Sequence, residues 1–530
     1  MPQLTTDPPL QPLSRRAALR AAGTGALLLG TGGALSACRS AVAEAGAGGR
    51  GGPRRGGKAT VAVRSDFVPS LLFTQSDQAL QQRLLFNTLI SYDDELRPRP
   101  ELARSWSYAA DGRSITLHLR DDVTFHDGRP FTADDVVFAV ENLKKPARAA
   151  QLATTAKAVT GFEKRGPHEL VLKLAHPVAN LFDLFEFMII PDRHTIDQAL
   201  KGTKLNGTGP YRLRRWRPGT SLTLVRNDTY WVRERPYLDE VELRVYTQSD
   251  ALLSALRSGQ AHLSTDITGT YLRAFEDTPG FTVTRYDTGS GAAYLGATVT
   301  DERVADKRVR QALAWAVDRD RVVDQALGGY GLASAVPWPR SSPAYSEANR
   351  TRYRYDPGKA RALLKSAGAT GRTLPLGHRS DPLLTAVAQI VQYDLRQVGL
   401  KVRLEPYDSA TYQKKLISGT MPALWVNLHG FAQVQPATLA LSAYPFNEKQ
   451  NTSHFRSAAY TDTVRAAWNR KETGGPGFRA ACQRITDLLL DEAFIATLAI
   501  QDQVQIAAER LRGARLTKFS YLDLDNAYLV

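Results

Sequence analysis

The stretch "TLPLGHRSDPLLTAVAQIVQYDLRQVGLKVRLEPYD", Thr373 to Asp408, decides the fold class. "TLPLGH" reads as a strand. After it, Leu384, Val387, Ala388, Val391, Leu395 and Val398 recur at helical spacing, and Gly399 supplies the stop. Leu400, Val402 and Leu404 then alternate as a second strand. Strand, helix and strand at this spacing predict a right-handed βαβ unit with a parallel pair, hence an α/β protein.

Upstream, "YDPGKARALLKSAG" predicts a helix with Asp356 as N-cap, Pro357 at its first position and Gly368 as its end. In "DKRVRQALAWAVDRDRVVDQALGG", Val309, Ala312, Leu313 and Ala316 form one apolar stripe. Asp318 is expected to cap a second helix burying Val322, Val323, Ala326 and Leu327. Between about 205 and 247 the signals are β-rich, in "GPYRLRRW", "SLTLVRN" and "VELRVY". The chain therefore carries more than one sheet, and no internal repeat is found.

"FHDGRPFTADDVVFAVENL", Phe125 to Leu143, places His126-Asp127 among further acids. Each acid has a local structural use. Asp127-Gly128 is a turn, and Thr132 with Asp135 forms a capping box opening a helix. His126 has no partner at metal-ligand spacing, so no metal is expected there.

At 530 residues, two or three domains are expected. The formal charge is +15. The first 57 residues hold seven of the 68 basic and two of the 53 acidic residues, leaving 61 against 51 and a spread excess of ten. No basic block is interleaved with aromatics and no nucleic-acid motif occurs, so nucleic acid is not an expected partner.

The N-terminus reads as an address. "SRRAALR" (14–20), a weakly apolar run from Ala21 to Leu35 and "LSAC" (35–38) make an export signal with a twin-arginine-like pair. Ala18 departs from that pattern. "LSAC" resembles a lipobox, in which the thiol of Cys38 receives a diacylglycerol. Residues 1–38 are thus expected to be a lipoprotein signal and 39–57 a flexible tether to the membrane. Cys482 is left as a lone, buried small hydrophobe. "GPRRGGKAT", from Gly52, nearly spells a phosphate-binding loop. It carries Ala59 where the hydroxyl belongs and precedes its strand, so no nucleotide is expected.

Five segments in order resemble the peptide/nickel family of bacterial substrate-binding proteins that serve ABC importers (solute-binding family 5). They are "PELARSWSYAADGRSITLHLRDDVTFHDGRPFTADDVVFAVE", "GTGPYRLRRWRPGTSLTLVRNDTYW", "DKRVRQALAWAVDRDRVV", "YDPGKARALLKSAG" and "LRQVGLKVRLEPYD". The resemblance implies a two-lobe periplasmic-binding-protein-like α/β fold (type II, cluster C). Lobe one would span 58–294 and 499–530 with an extra subdomain about 90–205, and lobe two 295–498. It implies capture of peptides in the interlobe cleft, no catalysis, no cofactor, and a monomer that delivers its ligand to permease and ATPase subunits.

"WVNLHGFAQVQPATL" aligns with the family's ligand-contacting segment, but Ala432 stands where an aspartate anchors the peptide amino group. The expected cleft contacts are Trp425, His429, Phe431 and Tyr444, with Trp338 beside them. His429 would meet a carboxylate or a metal chelate, or sit as a satisfied polar residue at the cleft edge; core packing is the competing role for each aromatic. The alternatives in the same class are a nickel chelate, a siderophore-like complex or an oligosaccharide. Outside it stand an exported hydrolase, for which no G-x-S-x-G or HExxH is present, and a module presenting ligand to a signalling partner.

Overall fold

The computed structural model describes residues 52–73, 79–148, 150–267, 269–430, 435–471 and 473–530. The expected signal segment and Cys38 lie outside them, as do Phe431 and Ala432. The βαβ unit forms as its spacing predicts. Thr373–Arg379 and Lys401–Tyr407 pair in parallel from Thr373↔Lys401 to Arg379↔Tyr407. The intervening helix is Pro382–Gln397, where the Asp381 side chain accepts from Leu384 N at 3.0 Å and a proline opens the first turn. Its buried stripe is the expected one, Leu384, Val387, Ala388, Val391 and Leu395.

These strands belong to an eleven-stranded mixed sheet. From one edge its order is Lys401–Tyr407, Thr373–Arg379, Leu424–His429, Phe281–Ala297, Ile495–Ala508, Leu263–Ser264, Lys58–Val63, Glu240–Val245, Ser221–Arg226 and Tyr211–Arg217, with Gly331–Ala333 pairing off Ile495–Ala508. Phe281–Ala297 and Ile495–Ala508 are the longest strands, of 17 and 14 residues, and lie antiparallel at the middle. Their ladder shifts register between Tyr286 and Gly291 and between Ala293 and Tyr294. The expected lobe boundaries at 294/295 and 498/499 both fall inside it.

A separate four-stranded antiparallel sheet, ordered Ala103–Tyr108, Ser114–Leu119, Glu169–Leu174 and Val159–Lys164, builds a second layer system within 90–205. Ile115, Leu117 and Leu119 face its core as their alternation predicts. The capping box forms at Ala133–Leu143, where Asp135 Oδ2 accepts from Thr132 N at 3.0 Å. His126 has a structural use too: its Nδ1 accepts from Gly207 N (3.3 Å) and its Nε2 donates to Gly209 O (3.1 Å). That clip holds a backbone-on-backbone contact only glycine permits, since a Cβ on Gly207 would stand 2.1 Å from Leu85 O.

Helix Lys307–Ala316 buries the predicted Val309, Ala312, Leu313 and Ala316. The helix expected after Asp318 departs in detail: one short turn, Arg319–Arg321, passes into a π-helical turn, Val322–Ala326. Arg319 explains why this region is fixed. Its buried guanidinium donates to the carbonyls of Thr497 (2.9 Å), Ser334 (3.3 Å), Ala314 (2.8 Å) and Tyr353 (2.7 Å). Cys482 is buried and unpaired among the described residues, and burial pushes its thiol up to about 12. No helix among the described residues is long and apolar enough to cross a membrane.

Candidate functional site

The strand Leu424–His429 points the chain toward the segment singled out in the sequence. It is a central strand, between Thr373–Arg379 and Phe281–Ala297, and its first four residues are buried. Trp425 pairs with Gly296 and shows no surface. The pairing is steric, because a Cβ on Gly296 would stand 2.3 Å from Trp425 Cε2. Trp338 is likewise fully covered, and its Nε1 donates to Thr486 Oγ1 at 2.8 Å. Both tryptophans sit in the core of this arrangement and present no platform to a ligand. A strand covered on both faces loses the alternation that would have revealed this.

His429 and Tyr444 do keep surface, each half-buried. His429 ends the strand opposite Ala292, with its ring centroid 6.4 Å from that of Phe446. Desolvation pulls its imidazole down to about 4, so the ring is neutral at physiological pH. Tyr444 anchors its own loop through its carbonyl, which accepts from Thr452 N at 3.1 Å.

Beyond the strand, the chain re-enters description at Gln435 and the helix Pro436–Ser442. Its first turn meets residues more than 250 positions earlier in a buried polar cluster. Thr438 Oγ1 donates to Asp183 Oδ2 at 2.6 Å and accepts from Asn180 Nδ2 at 2.8 Å. Asn180 Nδ2 also reaches Thr155 Oγ1 at 2.9 Å, and Trp468 Nε1 donates to Asn180 Oδ1 at 2.7 Å. Tyr92 OH donates to Asp183 Oδ1 at 3.0 Å, and the backbone N–H of Gln435 adds a third donor.

Asp183 is therefore satisfied by hydrogen bonds while buried, and desolvation raises it to about 6. One turn on, Glu186 is raised to about 7 by burial, though Arg83 donates to it at 2.6 Å. Arg83 also holds Glu101 at 2.8 Å. The cluster ties Tyr92, Thr155, Asn180 and Asp183 to the helix that follows the expected ligand-contacting segment. None of its members was singled out in the sequence. The available signal was Asp183 and Glu186 inside the otherwise apolar "LFDLFEF". Among the described residues, no group of three or more His, Cys, Asp or Glu could hold a metal.

Residues 97–450 match the family described as bacterial extracellular solute-binding proteins, family 5 (middle). The chain belongs to that family. This family 5 solute-binding protein is 26% identical over 491 residues to a dipeptide-binding protein of Pseudomonas aeruginosa, covering 86% of this chain and 91% of the relative. Its fold is shared with a periplasmic binding protein, DppA of Helicobacter pylori, solved with the peptide STSA (TM-score 0.77, 23% identity, 90% and 98% covered). It is shared too with NikZ of Campylobacter jejuni, solved with Ni(L-His) (TM-score 0.74, 22% identity, 86% and 95% covered). The two-lobed α/β architecture of the family 5 solute-binding proteins is thus established for this chain.

Proposed function

We propose that this protein is the extracytoplasmic capture component of an ABC importer and that its substrates are peptides. The observation that carries the reading is family membership, with a relative named for dipeptides that aligns over most of both chains. In this reading lobe one is 58–294 with 499–530, lobe two is 295–498, and ligand lies between them near His429 and Tyr444. Closure sequesters the ligand, and binding energy selects the closed form that a permease recognises. No covalent step is involved. A monomer held through an acylated Cys38 on the outer face of the cytoplasmic membrane completes the assignment.

Ala432 sets the specificity question. A charge-assisted hydrogen bond contributes about 1.5–3 kcal/mol, so a peptide that relied on an aspartate there would bind about ten- to a hundredfold more weakly. A second reading, a nickel chelate, is favoured by one feature: His429 is half-buried and neutral, the state in which an imidazole ligates metal.

The test is thermal unfolding of the purified chain with free-amine peptides, the same peptides N-acetylated, and nickel with histidine. A ligand at a hundredfold excess over Kd adds about 2.7 kcal/mol of stability. Stabilisation by either peptide pool supports peptide capture. A response to nickel with histidine alone replaces it with the second reading.

A further inference from the structure

The outermost strand at one edge of the large sheet, Tyr211–Arg217, reads "YRLRRWR". All four of its arginines are exposed. In a regular strand, Arg212 would face away from Arg215 and Arg217, because successive side chains alternate. Here the ladder to Ser221–Arg226 shifts register between Leu213 and Arg215. Arg212 lies opposite Val225, Arg215 opposite Thr223 and Arg217 opposite Ser221, three residues that share one face of their own strand. Leu213 and Trp216 lie opposite Leu224 and Leu222 on the other face. Arg214, the extra residue, is left out of the ladder. The bulge has collected Arg212, Arg215 and Arg217 on a single face.

That face continues inward through Glu240 and Glu242 on the next strand but one, and then Lys58. Both carboxylates are already paired: Glu240 with Lys58 (2.9 Å) and Arg214 (3.1 Å), and Glu242 with Lys58 (2.8 Å) and Arg244 (3.0 Å). No carboxylate pairs with Arg212, Arg215 or Arg217 among the described residues. Edge strands ordinarily carry a charge to block pairing with other chains, and Arg214 alone would serve that purpose. Three further unpaired cations on one face go beyond it.

We propose that this face docks on an anionic phospholipid surface. Two observations choose that occupant. The face carries an excess of positive charge, since its two carboxylates are already paired and Arg212, Arg215 and Arg217 have no carboxylate partner among the described residues. A row of free cations along a sheet edge suits a plane of phosphate headgroups. The face also adjoins the point where the chain enters the folded unit. Lys58 is on it, and the exposed Arg54 and Arg55 lie just before it. Tyr211–Arg217 is three strands from Lys58–Val63, roughly 14 Å at the spacing of paired strands. The orientation rests on the lipid-anchor reading: Cys38 is twenty residues before Lys58, a span of at most roughly 70 Å. The docked face would hold the sheet edge against the bilayer and fix how the cleft is presented.

The experiment is co-sedimentation of the full chain carrying Cys38→Ser with vesicles of phosphatidylcholine alone or mixed with an equal amount of phosphatidylglycerol. The N-terminal segment is common to all variants, so differences report the strand. The parent should prefer anionic vesicles, and R212S/R215S/R217S should lose about a hundredfold in partitioning, at about fivefold per basic residue near such a surface. R212K/R215K/R217K should retain binding. Equal partitioning of the parent to both vesicles, or of the serine variant and the parent to anionic ones, overturns the proposal. Arginine-dependent retention on an immobilised acidic polypeptide, without a preference for anionic vesicles, would also overturn it and give the face to a protein partner. Acylation of Cys38 is read separately, from the mass of the membrane-extracted chain, so failure of the anchor leaves the vesicle result standing.

Discussion

Replacing Thr438 by valine keeps the side chain's shape and deletes one hydroxyl from the buried cluster. Asp183 then loses a 2.6 Å donor, and Asn180 loses an acceptor at 2.8 Å. Hydrogen bonds to charged groups contribute about 1.5–3 kcal/mol and neutral ones about 0.5–1.5 kcal/mol, so the cost depends on the protonation state of Asp183. Its folded value of about 6 is raised above the ordinary 3.8 by burial. The folded protein thus holds this proton more tightly than the unfolded chain, and the site costs stability as pH rises from 3.8 through 6. The Thr438 hydroxyl opposes that cost by favouring the carboxylate. Urea unfolding should therefore show Thr438→Val destabilised by about 1.5–3 kcal/mol at pH 7.5 and by about 0.5–1.5 kcal/mol at pH 4.5, where the acid is protonated in both proteins. Pairing the change with Asp183→Asn should abolish the pH dependence of the difference. An equal penalty at the two pH values would refute the assignment of Asp183 as a buried acid titrating near 6.

Arg319→Met should cost at least about 3 kcal/mol in the same assay, because each stranded carbonyl carries a penalty of about 1–3 kcal/mol; a smaller loss would mean that water replaces the guanidinium. Gly296→Ala should destabilise by about 1–3 kcal/mol through its clash with Trp425, and Trp425→Leu in the same chain should recover part of it. A neutral outcome would show that the indole moves freely, contrary to a core role. His429 is held below its ordinary 6.5, near 4, so the unfolded chain binds its proton first and stability falls as pH drops through that window. His429→Gln should flatten the stability profile between pH 6.5 and 4, and an unchanged slope would place the acid sensitivity elsewhere.

The βαβ unit was legible because its helix has a narrow apolar stripe, a capped start and a glycine stop, all local features. The same holds for the capping box at Thr132 and Asp135, which forms residue for residue. The candidate site was legible only in part. His429 ends a strand, so its partial exposure follows from position. Trp425 belongs to a strand covered on both faces and Trp338 to a buried connection, and composition cannot separate an aromatic core residue from an aromatic platform. The Asp183 cluster escaped because the hydroxyls that hold its carboxylate come from 91 and 255 residues away, which no local window contains. The arginines of Tyr211–Arg217 were visible in sequence, but their common face depends on a bulge.

The two long central strands carry a further implication for how this chain can vary. Because they are hydrogen-bonded to each other for most of their length, a single residue inserted into either one would invert every side chain beyond it. Since Ile495–Ala508 is buried on both faces nearly throughout, each inverted side chain would meet packing shaped for its neighbour. Two register shifts already absorb whatever slack the ladder has, between Tyr286 and Gly291 and at Ala293. A change in length within this spine would have to be taken up as a further bulge, so the surface connections accommodate one at lower cost.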